Sequence, residues 1–134
     1  MPVVLLLLSC FLMCACNNTS QNGLWESATY TEDATLGTGE KNISVQVTAE
    51  GKTINFKIST DCEFLADALL EHNLISGDMQ QYGLYVKVVN GITADYNIDK
   101  SYWSLTKSGE YMQTGVSQTQ IADGDQYEIV YTKQ

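Results

Sequence analysis

Side chains that could carry catalytic or metal chemistry are few in this sequence, and their spacing forms no known catalytic set. His72 is the single histidine, and no serine or cysteine nucleophile can be paired with it. Asp95 and Asp99 have the chemistry of a general acid and base, but exposed loop carboxylates are usually solvated. Asp123-Gly124-Asp125 could offer oxygens to calcium, which needs about six or more, so a turn is the stronger prediction. These residues favour a binding module over an enzyme.

The informative side chains are aromatic rings that carry polar tips. Tyrosine and tryptophan can cover a flat apolar ligand while their hydroxyl and indole N–H groups bind its polar rim. A short sheet cannot bury all of these rings, so we expect some of them to form an exposed ligand surface. The rings concerned are Tyr82, Tyr85, Tyr96, Tyr102, Trp103, Tyr111, Tyr127 and Tyr131.

The charge of the chain excludes one class of partner. Its 134 residues carry sixteen acidic side chains against seven lysines and no arginine, which gives a formal net charge of −9. A nucleic-acid-binding surface needs basic residues to neutralise phosphates, and this sequence supplies no such face. The same acidity disfavours electrostatic attachment to anionic lipid headgroups. We therefore expect no nucleic-acid partner.

The apolar run at the N-terminus indicates export. Val3–Met13 is too short to cross a bilayer, for which about 20 apolar residues are needed, and it has the length of a signal-peptide core. Met13-Cys14-Ala15-Cys16 resembles a bacterial lipobox, which predicts a signal peptide over residues 1–16 and a lipid on Cys16. The protein is then extracytoplasmic and held at the bacterial cell membrane by this lipid. Two alternatives stay open: lipidation at Cys10, and a short core helix or strand.

A polar tether and a folded domain are predicted to follow the signal. Residues 17–42 are rich in Asn, Thr, Ser, Gly and Glu without apolar periodicity, which predicts a flexible tether. Trp25 and Tyr30 are its large aromatics, and they either dock on the domain or are simply carried by the tether. Three of the four cysteines fall in the signal, so Cys62 stands alone in the domain, residues 43–133. A disulfide framework and a zinc site are therefore not expected.

Apolar alternation and turn residues predict the elements of the domain. Thr60 and Glu63 have the spacing of a capping box, which would begin a helix that reaches His72. The predicted hairpin strands are Ile43–Val47 and Ile54–Ile58, and the later strands are Leu84–Val89, Tyr102–Thr106 and Tyr127–Tyr131. A hairpin, a helix and further strands predict the α+β class, a β-grasp-like mixed sheet packed on one helix.

The domain also carries a set of short motifs around its turns. They are Asn90-Gly91-Ile92, Ala94-Asp95-Tyr96, Ser101-Tyr102-Trp103-Ser104-Leu105, Gly109, Gly115-Val116 and Asp123-Gly124-Asp125. The Tyr-Trp-x-Leu motif with the later Gly-Val is the most specific, whereas the closing turn is generic. With these motifs, residues 43–133 resemble the transcobalamin-like C-terminal domain. This is the small β-rich domain of transcobalamin and intrinsic factor, which also occurs in bacterial surface proteins.

The resemblance implies where a ligand would bind. In the vitamin-binding members two segments of this domain contact cobalamin, and here they match residues 81–86 and 103–112. The implied ligand-binding residues are Gln81, Tyr82, Gly83, Leu84, Tyr85, Val86, Trp103, Ser104, Leu105, Gly109, Tyr111 and Met112. Tyr82, Trp103 and Leu105 would cover the apolar edge of the corrin, so we expect Tyr82 and Trp103 to be exposed on a common face.

The resemblance leaves a choice between two functions. The vitamin carriers hold cobalamin between this domain and a large helical barrel, and the present 134 residues contain no such barrel. A ligand held on one side only loses much of the burial that gives tight binding. We therefore expect a cell-surface lipoprotein module for cobalamin or a related corrinoid, with either weak binding or a second protein that completes the site. The alternative is a surface protein- or glycan-interaction domain without a vitamin ligand.

Overall fold

Nine strands in two sheets make up about half of the chain from Gly23 to Gln134, the residues that the computed structural model describes. The strands are β1 (Ala34–Leu36), β2 (Lys41–Ala49), β3 (Lys52–Thr60), β4 (Ile75–Gln80), β5 (Gly83–Val89), β6 (Ile92–Thr93), β7 (Ser101–Lys107), β8 (Glu110–Tyr111) and β9 (Gln126–Lys133). The helices are α1 (Leu65–Leu70) and α2 (Tyr96–Asp99), and 3₁₀ turns lie at Leu24–Ser27 and Val116–Gln118. No helix within this range is long and apolar enough to cross a membrane. The predicted signal peptide and Cys16 lie outside the described residues.

The larger sheet has the strand order β1-β3-β2-β9-β7-β8. β1 runs parallel to β3 and β2 runs parallel to β9, whereas the other neighbours are antiparallel. Alternation along β2 and β3 turns Val45, Val47 and Phe56 inward and leaves polar side chains on the outer face. Glu50 and Gly51 both have a positive φ and form the tight turn between these strands. The predicted hairpin is therefore confirmed.

The smaller sheet, in the order β4-β5-β6, was predicted only in part. β5 confirms the predicted strand Leu84–Val89. β4 was missed because Ile75 is its one buried residue, so the apolar alternation that signals a strand is absent. The β4–β5 pairing shifts register between Ser76 and Gly77. The described chain is thus mixed α+β, with a mixed sheet and a second sheet, and the β-grasp prediction is not confirmed.

One cluster of buried side chains connects the two sheets and α1. It contains Phe56 and Tyr127 of the large sheet, Leu65 and Leu69 of α1, and Val89 of the small sheet. Full burial of side chains of this size contributes about 1.5–3 kcal/mol each. The cluster therefore fixes the small sheet against the large one, and with it the relative positions of residues 81–86 and 103–112.

The helix is shorter than the sequence predicted, and the capping box is wrong. α1 begins at Leu65, with Phe64 at its N-cap, and ends at Leu70. Thr60 instead closes β3 in its pairing with β2, where it is fully buried. Its hydroxyl accepts a hydrogen bond from the Cys62 N–H at 3.0 Å. The β2–β3 ladder thus extends two residues beyond the predicted strand Ile54–Ile58 and includes Thr60, which therefore does not begin the helix.

Residues 23–42 are folded onto the domain, so the prediction of a flexible tether fails over this stretch. The Trp25 indole N–H donates to the Ala49 carbonyl at 2.9 Å. Tyr30 packs edge-on against Phe56, with the ring centres 5.4 Å apart. β1 then adds a parallel strand to β3. The folded part therefore begins before residue 43, because these rings find a carbonyl partner and an apolar partner far along the chain.

Asn90 fastens this N-terminal segment to the small sheet. Its side-chain amide accepts from the Tyr30 N–H and donates to the Tyr30 carbonyl, both at 2.8 Å. Its backbone N–H donates to Leu74 at 2.7 Å, and its carbonyl accepts from the Thr29 N–H at 2.9 Å. With Gly91 it forms the positive-φ turn between β5 and β6. Each polar group of this fully buried residue is therefore satisfied.

Candidate functional site

The two segments implied by the resemblance come together beside a third, which the sequence did not single out as ligand-binding. This third segment is the 3₁₀ turn Val116–Gln118, which follows β8 in the chain and lies against the start of β5. The Leu84 N–H donates to the Ser117 hydroxyl at 3.0 Å. Gly83 permits the close approach, because a Cβ at this position would lie 2.5 Å from the Ser117 Cβ. The turn therefore joins residues 81–86 to the end of the β7–β8 hairpin.

The β7–β8 hairpin forms the second side of this region. The Met112 N–H donates to the Leu105 carbonyl at 3.1 Å, which holds the outgoing chain against β7. Gly109 adopts a φ of +84° in the turn, and its N–H donates to the Glu128 carboxylate at 2.8 Å. Apolar side chains from both segments pack against the core while staying half-exposed. They are Leu84, Val86, Leu105 and Met112.

A cleft of about 330 Å³ opens between the hairpin and the following loop. Its volume lies at the lower end of the range for small-molecule sites, about 300–1,000 Å³. The buried Thr119 hydroxyl shapes the loop by donating to the Gly115 carbonyl at 2.8 Å. The amides and hydroxyls around the cleft can both donate and accept hydrogen bonds. The lining residues are Lys107, Glu110, Tyr111, Met112, Gln113, Thr114, Gln118, Thr119 and Gln120.

The tip of the β4–β5 hairpin exposes large apolar side chains. Met79 and Tyr82 are 73% and 77% exposed, and Met79 lies opposite the half-buried Leu84. An ion pair between Asp78 and Lys87, at 2.9 Å, links the two strands. The hydrogen bond with Asp78 raises the pKa of Lys87. The tip therefore presents an apolar surface next to the turn that carries Ser117.

Trp103 does not belong to this surface, so the prediction that it shares an exposed face with Tyr82 is wrong. Its ring is 6% exposed and packs edge-on against Tyr131, with the ring centres 5.5 Å apart. Its indole N–H donates to the Lys87 carbonyl at 3.0 Å. Side chains alternate along β7, so Ser104 lies on the face opposite Trp103. This alternation was the sequence signal that Trp103 faces the core.

The loop residues of the cleft were not predicted from the sequence. Gln113, Gln118 and Gln120 lie in a polar stretch whose composition indicates only a loop. Their placement depends on Val116, which is buried in the core, and on the bond between Ser117 and β5. Such tertiary contacts leave no periodic signal in one sequence. The Gly115-Val116 motif was the one local feature of the sequence that indicated an ordered loop here.

The candidate acid–base residues serve structural roles. Asp95 caps α2 by accepting from the Asn97 N–H at 3.0 Å. Asp99 accepts from the Ser101 hydroxyl and from the Ser101 N–H, and its other oxygen lies 3.6 Å from the Lys133 ammonium. The hydrogen bond from Ser101 lowers the pKa of Asp99. His72 lies beside Gly37 and does not line the cleft.

The Asp123–Asp125 stretch forms the turn that was predicted for it. Asp123 accepts from the Asn42 N–H at 2.6 Å. Asp125 accepts from the Ala122 N–H at 2.9 Å and from the Tyr127 hydroxyl at 2.8 Å. Burial opposes its ionisation, but these bonds and the nearby Lys107 outweigh that effect and lower the pKa of Asp125. Burial and the hydrogen bond to Asp125 raise the pKa of Tyr127.

Asp125 is expected to make stability fall in acid. Its folded pKa lies below the unfolded value of about 3.9, so its contribution is present above pH 4 and is lost as the pH falls further. Urea unfolding between pH 6 and pH 2 should show that Asp125→Asn removes on the order of 1–2 kcal/mol of this pH-dependent stability. Asp67→Asn, at an exposed helix carboxylate, is the control. Equal acid sensitivity in Asp125→Asn and the unsubstituted protein would contradict this role.

Comparison with known proteins gives one family and two informative structures. The family model described as a domain of unknown function (DUF4430) matches residues 63–133. A crystal structure of a candidate metal-binding protein from Ruminococcus gnavus ATCC 29149 has a TM-score of 0.67 and 33% identity. The match covers 71% of this chain and 99% of that protein. No curated protein matches the chain in sequence.

The second structure is haptocorrin in complex with Cbi (cobinamide). It has a TM-score of 0.57 and 20% identity, and the match covers 73% of this chain. The chain spans only 26% of haptocorrin, so the likeness concerns one part of a larger protein. At this identity it establishes the fold alone. It supports the transcobalamin-like fold that the sequence motifs predicted.

Proposed function

The chain belongs to the DUF4430 family of domains of unknown function, and we propose that it binds a small ligand in the cleft beside Met112. The observation that carries the proposal is the bond between Leu84 and Ser117. This bond brings the β4–β5 hairpin against the turn that also borders the cleft. Two separated stretches thus offer apolar side chains and amide groups to one region, which is the usual composition of a ligand site.

A corrinoid, either cobalamin or a related compound, is the leading candidate ligand. Haptocorrin, which shares the fold, holds Cbi in its crystal structure. A corrinoid has an apolar ring edge and amide arms. Met112, Gln113 and Gln118 line the cleft, and the two amides suit the arms. Tyr82, Leu84 and Leu105 lie outside the cleft and offer apolar surface to the part of the ring that extends beyond it. Trp103 has no part in this site, since its indole is occupied in the core.

The cleft would leave much of such a ligand in water. A corrinoid is larger than about 330 Å³, and the cleft is open. A ligand that contacts the domain on one side only leaves its other side in water. We therefore expect binding by the chain alone to be weak. A separate protein that covers the exposed side would tighten it. A role in binding rather than catalysis is also supported by the structural bonds that occupy Asp95 and Asp99.

Tyr82→Ser is expected to weaken corrinoid binding about tenfold without loss of stability, because the side chain is exposed at the hairpin tip. Calorimetric and absorbance titration with cobalamin and with cobinamide would measure the affinity. Ile98→Ser is the matched control, since Ile98 is an equally exposed apolar side chain on α2, an element that carries none of the proposed ligand contacts. Neither heat nor a spectral shift in the high micromolar range would overturn the corrinoid proposal.

An interaction with a surface partner is the second candidate function. β4 is the edge of its sheet and carries the exposed Met79, so a partner strand could pair with it. Such a partner would be a protein of the cell surface, and no vitamin would be involved. The corrinoid titration discriminates the two, since this candidate predicts no heat with either compound.

A lipid on Cys16 is proposed to hold the protein at the outer side of the bacterial cell membrane. Cys16→Ser should release it from the membrane fraction, because a single acylation site would be removed. Cys10→Ser is the control and should leave the protein in the membrane fraction. The reverse result would assign the lipid to Cys10, and membrane retention of both variants would argue against lipid anchoring.

No metal centre is proposed for this chain. The Ruminococcus gnavus protein is named as a candidate metal binder, but the donors here do not fit one. From Gly23 to Gln134, no three His, Cys, Asp or Glu side chains lie close enough together to hold an ion. Asp99 and Asp125 already accept hydrogen bonds from the chain. The ligand proposed for the cleft is therefore organic.

A further inference from the structure

The outer face of the large sheet carries a trough that is separate from the cleft. Three adjoining depressions of about 440, 270 and 230 Å³ lie on it. Ser44 and Gln126 line the first and second, Thr35 and Lys57 line the first and third, and Asn55 lines the second and third. The depressions therefore form one continuous trough across β1, β3, β2 and β9. None of its lining residues lines the cleft beside Met112.

Strand register explains why the trough exists. Thr35, Lys57, Ser44 and Gln126 lie side by side in one cross-strand row. Ser44 is the small residue between two long side chains, so the surface dips at its position. Neighbouring strands are about 4.8 Å apart, which makes a row across four strands about 14 Å long. The trough is thus an extended channel at right angles to the strands.

A second row follows along the same face and has the same chemical character. Gln46 lies between Asn55 and Glu128, and the Gln46 amide donates to the Asn55 side-chain oxygen at 3.4 Å. One row farther along, Thr48 pairs with Thr53 outside the trough, with their hydroxyls 2.8 Å apart. The amides and hydroxyls can donate and accept at once, as a ligand with many hydroxyl groups requires.

The charge of the trough selects an uncharged ligand. Lys57, Glu128 and Asp33 are the charged side chains that line it, so the trough has a formal charge of −1. The whole chain has a formal net charge of −9, so most of its excess of acid lies elsewhere. An acidic polymer would be repelled both by the trough and by the molecule as a whole, whereas a neutral polymer would not.

We propose that this trough binds an extended neutral glycan. The chain of sugars would lie across the strands, with its hydroxyl groups bonded to the Asn55, Gln46 and Gln126 amides and to Ser44. An exposed tyrosine, Tyr111, stands at the far end of the second row, beyond Thr106. The Tyr111 ring offers a flat face to a sugar. Because Tyr111 also lines the cleft, its substitution could affect both sites, and the test therefore does not substitute it.

Amide NMR of the full ¹⁵N-labelled chain, titrated with cellohexaose, xylohexaose, maltohexaose and chitohexaose, tests the proposal. At least one of these neutral probes should shift the side-chain amide signals of Gln46 and Asn55. The acidic probe hexagalacturonate should shift neither. If none of the four neutral probes moves these signals, or if the shifts fall only outside the trough, the proposal is overturned.

A double substitution supplies the quantitative test. Gln46→Ala with Asn55→Ala is expected to weaken binding of the responding glycan at least about tenfold, since two bonding amides are lost. Thr48→Ala with Thr53→Ala is the matched control, because it removes a polar pair from the same two strands one row outside the trough. Equal loss in both variants would overturn the assignment. Corrinoid binding at the cleft should be unchanged in both, so the failure of either site can be told apart.

Discussion

Trp103→Ala is expected to lower the free energy of unfolding by about 3–5 kcal/mol. A domain of this size has a total stability of about 5–15 kcal/mol, so the variant should lose a large part of it and unfold at a clearly lower urea concentration. The indole is 6% exposed and fills the space between β7, Tyr131 and the small sheet. Its removal leaves a cavity and also leaves the Lys87 carbonyl without its hydrogen bond. Urea unfolding followed by circular dichroism would measure the change.

Two variants separate the parts of this effect. Trp103→Phe keeps most of the ring and removes the N–H donor, so a smaller loss is expected. Tyr111→Ala truncates a ring that is 77% exposed and should change stability by no more than about 0.5 kcal/mol. A Trp103→Ala protein that stays fully stable would contradict the core role of the indole. Trp103 would then again be a candidate ligand contact.

Asn90→Ala is expected to cost about 2–4 kcal/mol. Its side-chain amide satisfies both the N–H and the carbonyl of Tyr30 in a buried place, and alanine satisfies neither. Alanine at a φ of +51° adds strain of about 1 kcal/mol. Hydrogen exchange should speed up most over residues 24–36, because this segment loses its attachment to the small sheet.

Asn73→Ala is the matched control for the backbone strain. Asn73 also has a positive φ, +55°, but it is exposed, so its replacement should cost only the strain of about 1 kcal/mol. Equal losses in the two alanine variants would show that the Tyr30 bonds contribute little. Faster amide hydrogen exchange at residues 24–36 in Asn73→Ala would likewise show that the effect does not depend on the Tyr30 bonds.

Elements with a strong local pattern were predictable from the sequence. The β2–β3 hairpin alternates cleanly and has a tight turn at Glu50-Gly51, so its position was predicted to within a few residues. β5, β7 and β9 were likewise placed. β4 was not, because Ile75 is its one buried residue and the strand lacks apolar alternation. The docking of Trp25 and Tyr30 was not, because it depends on partners far along the chain. Thr60 shows a different limit, since the β2–β3 hairpin extends as far as Thr60 and its strand pairing outweighs the local capping pattern.

The candidate site was predictable as two segments but not as a surface. Residues 81–86 and 103–112 do border one region, and Leu84, Leu105 and Met112 are half-exposed there. The Tyr-Trp-x-Leu motif predicted an exposed Trp103, whereas the alternation along β7 places this side chain on the core face. Ser117, which joins the segments, is an ordinary loop serine whose role depends on the bond to Leu84. Such a bond becomes visible only in three dimensions.

The docking of Trp25 and Tyr30 limits the distance between the folded domain and the membrane surface. Since the Trp25 indole is bonded to the Ala49 carbonyl, residues 17–24 separate Cys16 from the first of these two docked rings. Eight residues span at most about 28 Å even when fully extended, whereas the 26 residues of a tether from 17 to 42 would span about 90 Å. If Cys16 carries the lipid, the domain works close to the headgroups. The protein must then bind its ligands and partners within the space directly above the headgroups and not at a distance from the cell.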